Sequence, residues 1–415
     1  IKINLKSGNS IETVVVTVTV YDVKIPKAED ANYGYITWVD TTMQRICKPL
    51  YDVERYSEEF WEIQKNYAKQ LYIERQTMIN FEINEVLYEN ASLNSDNEIV
   101  YDYSVLDKFI EIYMQYLKPQ KICGMHLFWR DYVLDPMPNN GWNQRGLVTE
   151  ILTVEDGKIS KKTVSASDQQ TMNFYEDYLK KLYDHLCEKG WNKYWVQHVA
   201  DEIDSPIQYQ QAIEYYKMIH RIMPEAKTMD AVRKEASTYF GTELDYHVPI
   251  SYMYDESYRT YDKVNNGENQ VWQYTCLQPQ YDYMGRLGDY KLICNRLLHW
   301  YSFKHGLCGY LHYAWNRWYN LAPTTDATCY GSFPCDSWIV YPDKENLSVY
   351  WSIRGICNVE GIIDYEIMLE ASKKNKKLTD STVSLLVTSA NSFVYNTEML
   401  KNARKELLKI ASGEN

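Results

Sequence analysis

A closed (β/α)8, TIM-type barrel of the α/β class is the fold predicted for this 415-residue sequence, and three observations point to it. Short apolar runs alternate with amphipathic stretches of helical period from residue 27 to residue 325. Eight such strand–helix repeats fall within roughly 290 residues, a span that suits a closed barrel better than an open doubly wound sheet. No glycine-rich phosphate loop follows the first strand, so the dinucleotide-binding alternative lacks its fingerprint.

Residues 1–26 precede the barrel. The β-branched run at 14–21 alternates apolar and polar side chains from Val16 onward, the pattern of a half-buried strand. One or two strands cannot bury a core, so this segment is expected to be the tail of an N-terminal β-domain or an edge strand. The barrel strands are expected at 35–39, 77–82, 121–128, 194–200, 226–229, 245–249, 270–274 and 309–314. Helices are expected between them at 57–72, 104–117, 170–190, 205–222 and 289–305. The stretch 135–165, turn-rich over 135–141, reads as a large loop or small hairpin after the third strand, where insertions build a barrel's cleft. Residues 326–415 are expected to form a C-terminal appendage with a strand at 338–341 and helices at 352–372 and 392–410.

The net charge of −12 and pI near 5.3 lack the basic footprint that nucleic-acid binding needs. The basic runs Lys180-Lys181 and Lys373 to Lys377 read as solvated faces. Nine cysteines lie scattered without a C-x-x-C pair, which argues against a disulfide framework and against zinc-ligand spacing; neither metal nor cofactor is expected. No apolar run reaches the ~18–20 residues of a membrane span. The first residue is Ile1 rather than Met, and removal of an upstream segment would favour an extracytoplasmic protein. The aromatic load is unusual, with 39 Tyr and 12 Trp against 9 Phe. Both residue types join a flat apolar face to a polar handle, the complement of a sugar's C–H face and hydroxyl rim.

In a barrel, functional groups sit just past the strand ends. The segment Trp195-Val-Gln-His-Val-Ala-Asp201-Glu202 runs a buried strand straight into two adjacent carboxylates, before a helix beginning near Ser205-Pro206. Neighbouring acids in one small volume push their pKa values apart, so one can carry a proton while the other stays ionised. Asp255-Glu256 is the same dipeptide, but it reads as a solvated loop after the sixth strand. Other strand ends offer His126 and Trp129, Asp230, Tyr252 and Tyr254, Trp272 and Tyr274, and Trp315-Asn316-Arg317-Trp318. Each alone reads more readily as packing than as site; their recurrence at strand ends is what suggests a sugar cleft. Glu82 closes the second strand as a rival carboxylate, and His198 reads as a satisfied interior histidine.

The segment His198-Val-Ala-Asp201-Glu202 resembles the catalytic motif of glycoside hydrolase family 123, the β-N-acetylgalactosaminidases. Three later stretches are similar to that family in the same order: Val271 to Cys276, Arg296 to Trp300 with Gly306 to Trp318, and Asp336 to Pro342 followed by Ser352 to Arg354 and Gly361 to Glu366. The likeness spans about residues 190–370. It implies substrate-assisted hydrolysis, an exception to the two-carboxylate scheme, in which the sugar's acetamido oxygen attacks its own anomeric carbon. Glu202 is then the acid/base, and Asp201 holds the acetamido N–H beside the developing oxazolinium charge. The implied partner is a glycan with a terminal N-acetylgalactosamine.

Two departures stand out. Ile203-Asp204-Ser205 separate the pair from Pro206, which bears on sugar and aglycone preference, and the family's upstream β-sandwich corresponds at most to residues 1–26. Arg354 and Glu366 read as a charged pair or cap tying the appendage to the barrel. Two rival readings remain at this stage. One is a conventional retaining glycosidase with Glu82 or Asp230 as nucleophile; the other is a non-catalytic glycan-binding barrel.

Overall fold

All eight expected apolar runs form strands, and the strands close into a (β/α)8 barrel. The computed structural model describes residues 2–8, 10–131, 145–233, 236–329 and 333–414. In chain order the first six strands are Gly34–Thr37, Met78–Phe81, Lys121–Gly124, Trp195–Gln197, Lys227–Val232 and Tyr246–Pro249. The seventh is split at Trp272 into Gln270–Val271 and Gln273–Tyr274, and the eighth is Gly309–His312. Parallel ladders join the second through seventh strands in order, then the seventh to the eighth and the eighth to the first. Between the first and second strands, side chains do much of the joining. Gln76 accepts the Thr37 N–H at 3.0 Å and Asn80 accepts that of Val39 at 2.7 Å, beside one backbone bond of 2.9 Å from Thr77 to Tyr35. These amides satisfy donors that would otherwise be buried without a partner.

Alternate strand residues fill the barrel interior, among them Ile36, Met78, Cys123, Val196, Met229, Val248 and Leu311. Trp272 forms the floor. Its indole lies over Gly34 and Gly309, which face each other at the starts of the first and eighth strands. A Cβ on Gly34 would fall 2.0 Å from the indole, and one on Gly309 2.2 Å. Gly34→Ala is therefore expected to cost about 2 kcal/mol or more through overpacking, seen as a lower melting temperature. Adding Trp272→Leu should recover part of that loss.

The helices follow from capping and periodicity. Helix Glu58–Ile73 starts at Ser57, which accepts the Phe60 N–H, and buries Phe60, Trp61, Ile63, Tyr67, Ala68 and Leu71 on one face. Helix Pro206–Ile222 starts at Ser205, which accepts the Gln208 N–H, with Pro206 in the first turn. Ser104–Tyr116, Gln169–Lys189 and Leu292–Lys304 complete the expected set; Ser251–Val264 is a further helix, and the short Ala236–Phe240 is the helix described after the fifth strand. Asp255 lies within helix Ser251–Val264 rather than in a solvated loop. It accepts bonds from the Tyr301 hydroxyl at 2.7 Å and the Ala390 N–H at 2.8 Å. Among the described residues, no helix is long and apolar enough to cross a membrane.

Helix Ile353–Ser384, broken at Asn375, packs against Leu292–Lys304 and reaches the entry of the first strand, the place of an eighth barrel helix. Glu366 accepts the N–H groups of Asn32 and Tyr33 at 2.8 and 3.2 Å, whereas Arg354 donates to the carbonyls of Arg286, Cys335 and Trp338. The two tie the C-terminal region to the barrel separately and do not pair with each other. The last helix, Thr397–Ser412, begins later than the sequence suggests. Residues 387–393 form a small hairpin first, and Asn396 caps the helix.

Lys2–Ser7 and Ser10–Val15 pair as an exposed antiparallel hairpin. No strand forms at 16–20, where Val18 and Val20 lie 57% and 85% exposed, because alternation makes a strand only where a sheet edge receives it. The turn-rich 135–141 lies outside the described residues. Leu147–Glu155 and Lys158–Ser165 form a hairpin through Asp156-Gly157, both at positive φ, a turn whose twist suits the flanking strands. It extends the short strand Trp129–Arg130 beside the mouth of the barrel.

Candidate active site

The fourth strand leaves the regular ladder after Gln197. The N–H groups of Val199 and Ala200 are taken by the Asp230 carboxylate of the fifth strand, at 3.0 and 3.2 Å. Asp201 and Glu202 follow, and Ser205 then starts the next helix. Glu202 has φ +48°, a left-handed conformation that costs a non-glycine residue about 1–3 kcal/mol and tends to occur at functional sites. Arg130 helps to hold this peptide, donating to the Glu202 carbonyl oxygen at 2.7 Å.

Both side chains open into a cavity of about 370 Å³ at the C-terminal mouth of the barrel. That size is in the range of small-ligand sites. Among the described residues, Asp201 and Glu202 are the carboxylates lining it, with Trp38, Tyr274 and Tyr313 as aromatic walls and Arg233 and Arg317 as cations. Arg233 Nη2 binds Glu202 Oε2 at 2.7 Å, and the Tyr274 hydroxyl donates to Oε1 at 2.5 Å. Arg130 approaches Oε2 at 3.5 Å. A second cavity of about 400 Å³ shares Arg317 and Tyr319 with the first and contains Asp40, Glu82 and Glu85.

The charges are distributed against the expectation for the free protein. Asp201, though open to the cavity, lies deep among protein atoms. Burial and the neighbouring Glu202 charge push it up to about 7 against the pull of Arg130 and Arg233. Burial would raise Glu202 as well, but Arg233, the Tyr274 hydrogen bond and Arg130 outweigh it and hold that carboxyl below the ordinary glutamate value. At neutral pH without ligand, the proton of the pair therefore rests mainly on Asp201.

The other expected residues separate into three groups. His126 and Tyr274 line the first cavity, and Trp318 lines the second. Tyr252 packs against the barrel-interior cluster, and Trp129 is 41% exposed on its strand while its neighbour Arg130 reaches the site. Trp272, Trp315, Asn316 and Asp230 are buried away from both cavities. Trp272 is the floor at the opposite end of the barrel. Trp315 donates to Glu74 at 2.9 Å, and Asn316 accepts the Asp40 N–H at 2.8 Å. Asp230 is filled by Val199, Ala200, His198 and the Tyr216 hydroxyl. Glu82 lies in the second cavity, 3.3 Å from Arg317. Tyr254, outside both cavities, bonds to Asp262.

Sequence reasoning passed over Trp38, Arg233, Tyr313 and Arg130. The first three share the phase of residues that the structure places in the barrel interior: Trp38 is two past Ile36, Arg233 two past Ala231, and Tyr313 two past Leu311. Arg130 carries no comparable signal. A convergence of His126, His198 and Asp230 was also invisible in the spacing. One donor atom from each lies within 4.8 Å of the others, the one group of this kind among the described residues that could hold a metal ion.

The family model "Glycoside hydrolase 123, catalytic domain" matches residues 44–370. Among solved structures, a family 123 glycoside hydrolase from Clostridium perfringens, described for glycolipid glycan hydrolysis, aligns with a TM-score of 0.70 at 17% identity, over 98% of this chain and 74% of that one. A GH10 xylanase of Thermobacillus composti aligns at TM-score 0.42 and 10% identity, over 80% and 98% of the two chains. A GH39 enzyme from Xanthomonas axonopodis pv. citri aligns at 0.43 and 9%, over 84% and 67%. No curated protein matches the sequence.

Proposed function

Because the chain belongs to glycoside hydrolase family 123, we propose that it releases β-linked N-acetylgalactosamine from the end of a glycan by a retaining, substrate-assisted route. The observation that carries this reading is the Asp201–Glu202 couple. It leaves the fourth barrel strand into a cavity with room for one sugar, where no other carboxylate among the described residues could act as nucleophile. The acetamido oxygen attacks the anomeric carbon with help from Asp201 at the N–H, while Glu202 protonates the departing oxygen and later takes a proton from water. His126, Trp38, Tyr274 and Tyr313 face the sugar.

The proton resting on Asp201 in the free protein fits this cycle if it moves when substrate binds. An amide N–H donated to Asp201 favours that residue's anion, and the shared proton passes to Glu202. A second reading exchanges the roles. Asp201, raised to about 7, acts as the acid, and Glu202, held ionised by Arg233, steadies positive charge.

The mechanism is tested by the product and by an analogue. Proton NMR of the first-formed sugar should show the β anomer, and a thiazoline mimic of the oxazoline should inhibit competitively. An α-first product, or indifference to the thiazoline, would discard the substrate-assisted route.

A further inference from the structure

Beneath the cavity, two imidazoles are left half-satisfied. His198 is wholly buried; Nδ1 meets Asp230 at 3.3 Å, and Nε2 has no hydrogen-bond partner among the described residues. His126 lines the cavity with one edge, but its Nε2 is buried and likewise unpartnered. The rings stand 5.1 Å apart, and Trp38 presses edge-on against both, at 5.0 and 5.5 Å. A group shared by His198 and Asp230 must sit at the Nδ1 edge of the ring, the one that faces the carboxylate.

We propose that His126, His198 and Asp230 form a binding site for a divalent transition metal under the floor of the catalytic cavity. One donor atom from each residue lies within 4.8 Å of the others. Bonds of about 2.0–2.2 Å to nitrogen and oxygen therefore need only modest rotation of the rings toward a common centre. Two imidazoles and a carboxylate suit zinc, cobalt or nickel better than magnesium or calcium, which prefer all-oxygen shells. Asp230 is a buried carboxylate whose one basic hydrogen-bond partner among the described residues is His198; a dication between them would replace that 3.3 Å contact and leave the bonds from Val199, Ala200 and Tyr216 in place.

The site would also bear on the couple above it. The Asp230 oxygens that would meet the metal are those that accept Val199 and Ala200, the two N–H groups leading into Asp201. Occupancy therefore acts on the peptide that presents the catalytic pair.

The inference does not depend on the hydrolase reading, and its test needs no turnover. Tag-free protein is titrated with Co²⁺ while visible absorption is followed. The expected result is a saturable band at one equivalent, displaced by Zn²⁺, together with a higher melting temperature in Zn²⁺. His126→Gln and His198→Gln, each checked for native circular dichroism, should weaken Co²⁺ binding by about ten-fold or more. The first alters a partly exposed residue, so it tests the site even where the buried change fails to fold. No saturable band in the unaltered protein, or equal binding by His126→Gln, would overturn the proposal.

Discussion

A nitrophenyl N-acetyl-β-galactosaminide is expected to be hydrolysed at least about 10³-fold faster, in kcat/KM, than the matching β-galactoside. The reason is that, among the described residues, no carboxylate besides Asp201 and Glu202 lines the cavity to replace the acetamido nucleophile. The conventional alternative needs a second carboxylate at the anomeric carbon, and the two residues considered for it are elsewhere. Asp230 is buried and occupied by four donors, and Glu82 lies in the neighbouring cavity beside Arg317. Without an acetamido group, the reaction would have to recruit water directly and lose the advantage of an internal nucleophile already in place. Parallel measurement with the two nitrophenyl glycosides decides the matter, and comparable rates would remove substrate assistance from the account.

The second large effect concerns the pair itself. Glu202→Gln is expected to reduce kcat/KM for an unactivated glycoside by about 10²–10⁴-fold, the usual worth of a positioned proton donor. The loss should be far smaller with a dinitrophenyl leaving group, which departs without protonation. Asp201→Asn should lower both substrates by similar factors, because stabilising the charged intermediate matters whatever the leaving group. The opposite pattern, with Asp201→Asn rescued by the activated leaving group, would assign the acid to Asp201.

The pH profiles carry a further check. The unaltered pair keeps its proton until pH rises through about 7, so activity should fall above that point. In Asp201→Asn the proton can sit only on Glu202, which releases it below the ordinary glutamate value, so the alkaline fall should begin at lower pH. Stability gives the sign independently. The Asp201 pKa is raised on folding, so the folded protein binds the proton more tightly than the unfolded chain between pH 3.8 and about 7, and stability drops as pH rises through that interval. Asp201→Asn should therefore melt higher than the unaltered protein at pH 8, with the difference fading toward pH 4.

How legible the molecule was depended on the range of the interaction behind each feature. The barrel could be read because strand and helix periods are local. Eight apolar runs separated by amphipathic stretches admit few arrangements, and all eight became strands. The Asp201-Glu202 couple could be read because a strand end is a one-dimensional landmark that a barrel turns into an address. Height within the barrel was harder to read. Trp272 and Tyr274 share the inward phase of the seventh strand, yet the first closes the floor over Gly34 and Gly309 and the second reaches Glu202. Two residues of rise along a tilted strand separate packing from function, and strand stagger is not written in any one segment.

By itself, then, the sequence determined the fold class, the position of the carboxylate couple and the end of the barrel at which it lies, because these follow from periodicity along the chain. Only the tertiary structure decided which acid holds the proton, since that depends on Arg130, Arg233 and Tyr274 arriving from three other strands. It alone brought His126, His198 and Asp230 together, and set Asp230 beneath the cavity instead of in its wall. Electrostatics and burial act across space, between residues whose separation along the chain says nothing of their distance once the strands close.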